Sequence, residues 1–429
     1  MNLAFNIVVG VVFLIFLYLI VKKSFKIAFL YGLLIFQAVT IIPSLIYIET
    51  GIYISEQGRD SYFVGATLAY VIYFIITFIV IFATFSSLKK VKATTLTFTL
   101  KGKNLDLKII YYMAVFALII LYFNASQSKL PLFDSSVTRF TYWENSKFPF
   151  LNKILGNTAI FIPFILGILN KNNKTKSLVL LVLYFAYNFM IGQKFSPILS
   201  GLFSFFLPII FMSTQKVNLK KFFNRKIIIS LLLIFGVAYL VIYKLYEQRR
   251  PYAVIKIYDP NEAMFYRAFG LQGHLMWGAT ETYVYNNEDH SYNLLDLSKG
   301  MQNLMYKFAV IKDKKGFEDS IGSGFNFTNA YPSILFYVFP VGIAVIVHVL
   351  LTIVFLGFMG WLLKQFIIHK SYVMAVITYQ LFNWTMYAFT MGYFYKLKYT
   401  ILFFICYGVF VVLNNKIKQG KNNLEKIQE

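Results

Sequence analysis

Long uninterrupted apolar runs constrain this chain more than any other feature. Three of them occupy residues 7–21, 62–85 and 227–243. At a rise of about 1.5 Å per residue, each is long enough to cross or nearly cross a hydrocarbon core of about 30 Å. Lipid cannot hydrogen-bond to backbone groups, so these runs are predicted to be helices. With 58% hydrophobic and 14% charged residues, the composition indicates an integral membrane protein and excludes a soluble globular one.

The apolar runs together predict an all-α, polytopic integral membrane protein with about eleven transmembrane helices. No lysine or arginine precedes the first run and no small-residue cleavage site follows it, so we expect a retained span and not a signal peptide. The predicted spans lie near residues 3–21, 27–48, 61–85, 109–123, 151–169, 177–192, 195–212, 227–245, 332–360, 372–392 and 399–414.

The lysine distribution predicts the topology. Lysine clusters fall in alternate connections, and the positive-inside rule puts them in the cytoplasm, with the N-terminus outside and the C-terminus inside. We therefore expect helices 1–8 over residues 1–245, a long external loop at 246–331, helices 9–11 over 332–414 and a basic cytoplasmic tail at 415–429. The net charge of +23 is mostly lysine at helix ends, which favours a membrane-lipid partner over nucleic acid.

Two short helices are predicted in the long external loop, which is too polar for us to expect it to be buried. Residues 259–270 begin with Asp259 as N-cap and Pro260 at the first helical position. Residues 294–308 repeat apolar side chains at helical spacing, which is typical of a helix lying on the membrane surface.

Arginine is concentrated outside, where the topology needs no positive charge. The chain has 41 lysines and arginines, of which six are arginine, and only Arg225 falls in a predicted cytoplasmic connection. A guanidinium binds phosphate or carboxylate oxygens in a bidentate manner, so this bias indicates anion binding. The alternative is that these arginines face lipid headgroups or pair with Glu247 or Glu144. The external arginines are Arg59, Arg139, Arg249, Arg250 and Arg267.

A heptad spacing places Arg267, His274 and Glu281 on nearly one face if the first loop helix continues. A histidine near water on such a face can act as a base at neutral pH without a large pKa shift. The alternative is an interfacial histidine beside Trp277.

Two other external segments carry candidate binding residues. Lys194, in a tight turn, can reach an anionic ligand or extend to the headgroups. Arg139 lies close to Tyr142 and Trp143, whose rings suit a sugar, although aromatic belts have the same composition.

The sequence has no P-loop, no acidic pair for a metal-bound nucleotide sugar, no Cys/His metal spacing and no GxSxG. We therefore expect neither a metal nor a cofactor, and no cytoplasmic nucleotide-sugar enzyme.

The polytopic body, the external arginines and the large outer loop together resemble the oligosaccharide repeat-unit polymerases of bacterial surface polysaccharides, the Wzy family, and more distantly the O-antigen ligases. Arg267 to Gly278 has the form arginine, ten residues, glycine, which looks like a motif of Wzy external loops; GQKFSPIL (192–199) and GSGFNFTNAYP (322–332) are similar to segments of such polymerases. Arg139 departs from the pattern, because Phe150 stands where a second copy would have glycine.

The resemblance implies a metal- and nucleotide-independent glycosyltransferase of the bacterial cytoplasmic (inner) membrane. Its substrate would be an oligosaccharide on undecaprenyl diphosphate, transferred as a block to a new lipid-linked unit at the outer face, for O-antigen, lipopolysaccharide or capsule; a chain-length regulator protein would be a possible partner. Arg267, with Arg139 or the Arg249 and Arg250 pair, would hold the diphosphate, and His274, or else Glu281, would be the catalytic base.

Two rivals stay open. An O-antigen ligase would use the same donor. A transporter or flippase predicts charged residues inside the spans, whereas the predicted spans are nearly free of charge. A receptor or structural membrane protein is the fallback.

Overall fold

The structure, a computed structural model of the chain, contains helices joined by loops and two small hairpins. It describes residues 2–54, 56–100, 103–134, 136–137, 139, 141–156, 160–193, 195–213, 243, 261, 265–266, 269–309, 313 and 329–428. The all-α class predicted from the sequence is confirmed, because in the part of the chain that is described the strands have only two residues each.

The helices of the first half of the chain are α1 (Asn2–Lys23), α2 (Phe25–Leu30), α3 (Gly32–Ile48), α4 (Ala66–Ser87), α5 (Asp106–Ser126), α6 (Phe161–Leu169), α7 (Lys174–Met190) and α8 (Phe195–Met212), with a π-helical turn at Asn152–Gly156. The strands are β1 (Tyr53–Ile54) paired with β2 (Arg59–Asp60), and β3 (Thr99–Leu100) paired with β4 (Lys103–Asn104), both antiparallel.

The helices of the second half are α9 (His274–Ala279), α10 (Leu295–Lys299), α11 (Met301–Phe308), α12 (Ser333–Val338), α13 (Val341–Leu351), α14 (Met359–Ile368), α15 (Tyr372–Met391) and α16 (Leu397–Gln428). A π-helical turn at Thr280–Tyr285 continues α9, and another at Thr352–Phe358 joins α13 to α14; a 3-10 turn at Phe394–Lys396 precedes α16.

By helix length and hydropathy the chain is a multi-pass membrane protein. Five described helical stretches are long and apolar enough to cross a membrane: Leu3–Lys23, Ala66–Ser87, Asp106–Ser126, Val341–Ile368 and Phe394–Ile417. Gly32–Ile48 and Pro197–Met212 are apolar but shorter. The count of eleven spans, the choice of membrane and the orientation stay predictions, as does the division of the chain at residues 245, 331 and 414. The eighth predicted span, 227–245, lies outside the described residues except for Tyr243.

The ninth predicted span, 332–360, has the wrong boundaries. The short helix α12 ends at Val338, and Phe339 is extended before Pro340, so the membrane-length helix begins only at Val341. Proline lacks the N–H that would continue the earlier helix. The long helix then runs to Ile368, past Lys364, whose Nζ lies 5.7 Å from the Phe85 ring centre. A lysine near a helix end can extend toward the interface, which makes this longer helix compatible with lipid.

The chain forms two compact units that interleave in sequence. The first contains Met1–Ile79, Ser213–Leu350 and Phe389–Tyr393, and the second contains Val80–Met212, Leu351–Ala388 and Phe394–Glu429.

In the first unit, one stripe of α1 side chains packs on α3 and on α4, the helix of Phe74. Phe13 is buried and its ring meets the Phe74 ring edge to face at 5.1 Å between centroids. A Cβ at Gly10 would lie 3.1 Å from Ile46 Cδ1, so the small residue lets the two helices approach. The opposite face of α1 carries exposed Leu14 and Ile15, as expected for a lipid-facing surface.

In the second unit, α6 is the central helix and all of its residues from Ile162 to Ile168 are buried. A Cβ added at Gly167 would stand 2.0 Å from the Phe205 carbonyl oxygen, so α6 and α8 are in backbone contact there. The Phe164 ring stacks on the Tyr379 ring at 4.1 Å between centroids. Buried Asp106 accepts hydrogen bonds from the backbone N–H of Phe98, at 2.8 Å, and of Tyr372, at 2.9 Å.

The expectation that the segment 246–331 is too polar to be buried is wrong for much of its described part. All six residues of α9 are buried. Leu275, Met276 and Trp277 supply apolar surface, and hydrogen bonds of the His274 carbonyl oxygen and the Trp277 indole N–H within the unit offset part of the cost of burial. The predicted helix at 294–308 is present as two pieces, because Gly300 with φ of +53° separates α10 from α11. Most of the predicted helix at 259–270 lies outside the described residues.

Candidate functional site

The connection between α3 and α4 is held rigidly by a buried carboxylate. Glu49, at the end of α3, accepts hydrogen bonds from the N–H groups of Gly65, at 2.8 Å, and Thr67, at 3.1 Å, and from the Thr67 hydroxyl at 2.6 Å. Its other partner is the Asn6 amide of α1 at 2.6 Å. These bonds fix both ends of the connection. Between them, the β1–β2 hairpin turns through Gly58 with φ of +65° and presents Arg59.

Helix α9 lies against this hairpin and is held by hydrogen bonds to it. The Gln57 amide nitrogen donates to the His274 carbonyl oxygen at 2.9 Å, and the Trp277 indole N–H donates to the Phe63 carbonyl oxygen at 2.9 Å. A Cβ at Gly278 would lie 3.0 Å from the Gln57 side chain. The absence of a side chain at Gly278 therefore lets Gln57 approach the helix.

Arg59 forms an ion pair with Glu281, in the π-helical turn that follows α9. One guanidinium nitrogen lies 2.6 Å from a Glu281 carboxylate oxygen, and two donate to the Gln57 amide oxygen at 3.1 and 3.0 Å. The guanidinium carbon is also 5.0 Å from the Trp277 ring centre, within the range of a cation–π contact. The Arg59 side chain is 34% exposed, whereas that of Glu281 is fully buried.

Tyr62 completes this group of side chains. Its ring is 67% exposed and meets the Trp277 ring edge to face at 6.2 Å between centroids. The pKa of Tyr62 is raised above its ordinary value, first by hydrogen bonding to Glu281, so the phenol remains neutral at physiological pH. We call Gln57, Arg59, Tyr62, Trp277 and Glu281 the Arg59 cluster. It joins a guanidinium, a carboxylate and two aromatic rings at the surface of the first unit.

His274 is fully buried beneath the same hairpin, so the expectation of a histidine near water with an ordinary pKa is wrong. Its Nδ1 is 3.4 Å from the Gln57 amide nitrogen. Burial lowers its pKa to about 4 because the charged imidazolium would lose its hydration, and the negative charge of Glu56 opposes this only in part. The imidazole is therefore neutral at physiological pH and touches the Gln57 side chain that holds Arg59.

The structure brings together two of the three residues predicted to be catalytic, His274 and Glu281, in the first unit. The third, Arg267, lies outside the described residues, as do Lys194, Arg249 and Arg250.

Arg139, Tyr142 and Trp143 belong to the second unit. A Cβ at Gly192 would be 3.5 Å from Arg139 Cβ, so Arg139 lies against the turn that follows α7. The Tyr142 ring is buried, contrary to the open platform expected for a sugar, because it packs against Trp143 and its hydroxyl accepts a hydrogen bond from the Asn124 amide at 3.4 Å. Burial raises the pKa of Tyr142.

The first unit also has a small cavity between its helices, lined mostly by apolar and aromatic side chains. His348 lies on its wall, and its Nε2 is 2.9 Å from the Thr77 hydroxyl. Thr77 already donates its hydroxyl proton to the Tyr73 carbonyl oxygen, so it accepts from Nε2–H. Nδ1 of the neutral ring is then the acceptor for the Tyr331 hydroxyl. Among the described residues, no group of three or more His, Cys, Asp or Glu side chains has the arrangement of a metal site.

Sequence reasoning missed Arg59 and Gln57 as site residues. Arg59 is one of the five external arginines, so the arginine bias contained the signal. Its pairing with Glu281 joins two segments far apart in sequence, which no local spacing reveals.

These observations define a multi-pass α-helical membrane protein with a guanidinium–carboxylate cluster at the connection between helices α3 and α4. Residues 295–406 match the model of a family of unknown function (DUF6418). No curated protein and no solved structure matches the chain.

Proposed function

We propose that this protein is a membrane glycosyltransferase that polymerises undecaprenyl-diphosphate-linked oligosaccharide units by block transfer at the outer face of the bacterial cytoplasmic membrane. The observation that carries the proposal is the Arg59–Glu281 pair, in which an arginine whose side chain is 34% exposed meets a buried carboxylate at 2.6 Å beside Trp277. Such a transfer requires a cation for the diphosphate, a base for the acceptor hydroxyl and an aromatic surface for sugar.

The chemistry assigns a role to each group of the Arg59 cluster. The donor bond between the anomeric carbon and the diphosphate oxygen breaks, and its electron pair leaves with the diphosphate. Arg59 stabilises that growing negative charge. The diphosphate competes with Glu281 for the guanidinium, and the carboxylate so released takes the proton of the acceptor hydroxyl as its oxygen bonds to the anomeric carbon. The exposed ring of Tyr62 offers its surface to the sugar, and the buried Trp277 ring supports it edge to face.

His274 has a different role here from the one predicted from the sequence. The His274 and Glu281 side chains are both buried, but Glu281 pairs with the partly exposed Arg59, so a diphosphate that draws the guanidinium away also opens the Glu281 carboxylate to the acceptor. We therefore assign the base to Glu281 and make His274 a positioning residue that acts through Gln57. Arg267, Arg139, Arg249, Arg250 and Lys194 stay predicted diphosphate contacts, and Trp143 a predicted sugar contact.

The test uses the purified full-length protein in detergent with a lipid-linked repeat unit, and products are resolved as a ladder. We expect Glu281→Gln to slow ladder formation by about a hundredfold or more, the range for loss of a general base. The matched control is Glu288→Gln, because Glu288 is an exposed carboxylate of the same segment whose ion pair with Lys307 is 3.6 Å long. Equal rates for the two variants would remove Glu281 from the mechanism, and the absence of any ladder would count against the polymerase itself.

Two alternative functions differ from the polymerase in the reaction: a ligase transfers the glycan to another acceptor, and a flippase or transporter catalyses no transfer. An O-antigen ligase would join the glycan to a lipid A core, so the same assay with that acceptor gives one product instead of a ladder. A flippase or transporter is favoured by one observation, the titratable His348 on a cavity wall within a membrane-length helix. In that case His348→Gln would abolish transport of a labelled lipid-linked oligosaccharide across the vesicle membrane, and the wild-type protein would form no product ladder.

A further inference from the structure

Lys396 stands among three aromatic rings where the chain turns from α15 into α16. Its Nζ lies 5.8 Å from the Trp384 ring centre, 5.7 Å from that of Tyr387 and 5.8 Å from that of Tyr395. Trp384 and Tyr387 come from α15, whereas Tyr395 is the neighbour of Lys396 in the 3-10 turn. We call these four residues the Lys396 cage, and all of them belong to the second unit.

The position of the cage along its helix indicates the depth of a lipid headgroup. Lys396 is the third residue of the membrane-length stretch Phe394–Ile417, so it marks the boundary of the apolar segment. The side chain is half-buried, whereas Lys398, two residues later, is exposed and its Nζ lies 5.2 Å from the Tyr399 ring centre; among the described residues no second ring lies over it. The two lysines therefore differ in their surroundings although both lie at the same helix end.

The rings hold the ammonium in place without neutralising it. Each ring attracts the cation through its quadrupole, but a ring is a weak acceptor for the three N–H donors of a lysine. In the described part of the chain no carboxylate lies within ion-pair distance of Lys396. The ammonium is held at a membrane boundary and its N–H groups can still donate hydrogen bonds. Its charge and these donors match the charge and the acceptor oxygens of a phosphate group.

We propose that the Lys396 cage binds the phosphate of a membrane lipid, with the ammonium on the phosphate oxygens and the rings beside the first carbons of the lipid chain. Two kinds of lipid carry that chemistry, a phospholipid and a polyprenyl phosphate. The proposal rests on the four residues of the Lys396 cage and does not depend on glycan transfer.

Native mass spectrometry of the full-length protein in detergent tests the site. The probes are phosphatidylglycerol, undecaprenyl phosphate and, as a lipid without phosphate, monoglucosyl diacylglycerol. We expect wild type to bind one molecule of a phosphate-bearing probe more tightly than the glucolipid. Lys396→Gln weakens that binding about tenfold, as loss of one charge-assisted hydrogen-bonded contact should. Lys396→Arg retains it, and Lys398→Gln, the matched control, changes it less than about twofold.

Tyr395→Leu gives a second route if Lys396→Gln does not fold, because this ring is exposed and its loss leaves the charge intact. We expect it to weaken binding about threefold, the value of one exposed cation–π contact. A preference for phosphatidylglycerol identifies a phospholipid site, and a preference for undecaprenyl phosphate identifies a polyprenyl site. Equal binding of the glucolipid and both phosphate lipids, or equal losses in Lys396→Gln and Lys398→Gln, would overturn the proposal.

Discussion

Arg59 and Glu281 form an ion pair whose two partners differ in their access to water. The nitrogen–oxygen distance is 2.6 Å, and the arginine side chain is 34% exposed while the glutamate side chain is fully buried. The arginine therefore neutralises a carboxylate that water does not reach, and it also joins the hairpin between α3 and α4 to the turn that follows α9. This asymmetry governs what each substitution does.

Removal of Arg59 should destabilise the protein more than removal of Glu281. Arg59→Gln leaves a buried carboxylate without its cation and should cost about 3 kcal/mol, whereas Glu281→Gln leaves a guanidinium that can turn to water and should cost about 1 kcal/mol. The measurement is unfolding of each variant in mixed micelles with increasing denaturing detergent. In the double variant the two costs should not add, because the pair acts as a unit. Equal costs in the single variants would contradict the burial of Glu281.

His274 should make the protein sensitive to mild acid. Its folded-state pKa of about 4 lies below the ordinary value of 6.5, so the unfolded chain binds more protons between these values and stability falls as the pH falls. Between pH 7 and pH 5 the loss from this residue should be about 2 kcal/mol.

The comparison of wild type with His274→Gln isolates this effect, since the carboxylates titrate in both proteins. We expect the wild-type midpoint of thermal unfolding in detergent to drop more steeply on acidification than that of the variant. His369→Gln is the control, because His369 is exposed and its Nε2 lies 3.1 Å from the amide oxygen of the neighbouring Gln365. Parallel pH profiles for wild type and His274→Gln would mean that the imidazole is hydrated.

Gly167 should not tolerate even a methyl group. A Cβ there would lie 2.0 Å from the Phe205 carbonyl oxygen, which is backbone and has no rotamer to change, so α6 and α8 would have to separate. We expect Gly167→Ala to cost about 2 kcal/mol or more. Gly408→Ala is the matched control, because Gly408 also lies within an apolar helix but a Cβ there meets nothing within 4 Å. The same unfolding assay distinguishes them, and an unchanged Gly167→Ala would refute the close contact of the two helices.

The class of the fold could be predicted well from the sequence, because a long apolar run can adopt few backbone structures in lipid. The helices at α1, α4 and α5 follow the predicted spans closely, since each run is bounded by polar residues. The predicted span is wrong at Phe339–Pro340, where the apolar composition continues but the helix is interrupted by an extended residue. The prediction also failed at α9, because burial of a polar segment depends on distant partners such as Gln57 and Phe63.

The candidate site was predictable only in part. Glu281 was named from its heptad spacing, and the arginine bias indicated that guanidinium groups matter. The sequence does not say which arginine meets Glu281, because that pairing arises when the hairpin packs on α9. His274 was expected near water for the same reason: its local neighbours include glycines and a tryptophan, but the side chains that cover it come from elsewhere in the unit.

The initial rate of ladder formation by Arg59→Lys tests most directly whether the Arg59 guanidinium binds the diphosphate. Lysine keeps the positive charge opposite Glu281 but loses the planar fork that binds diphosphate oxygens. We expect a folded protein whose transfer rate falls by about a hundredfold, the range for loss of one transition-state donor. A folded Arg59→Lys protein with the wild-type rate would contradict the assignment of Arg59 to the diphosphate.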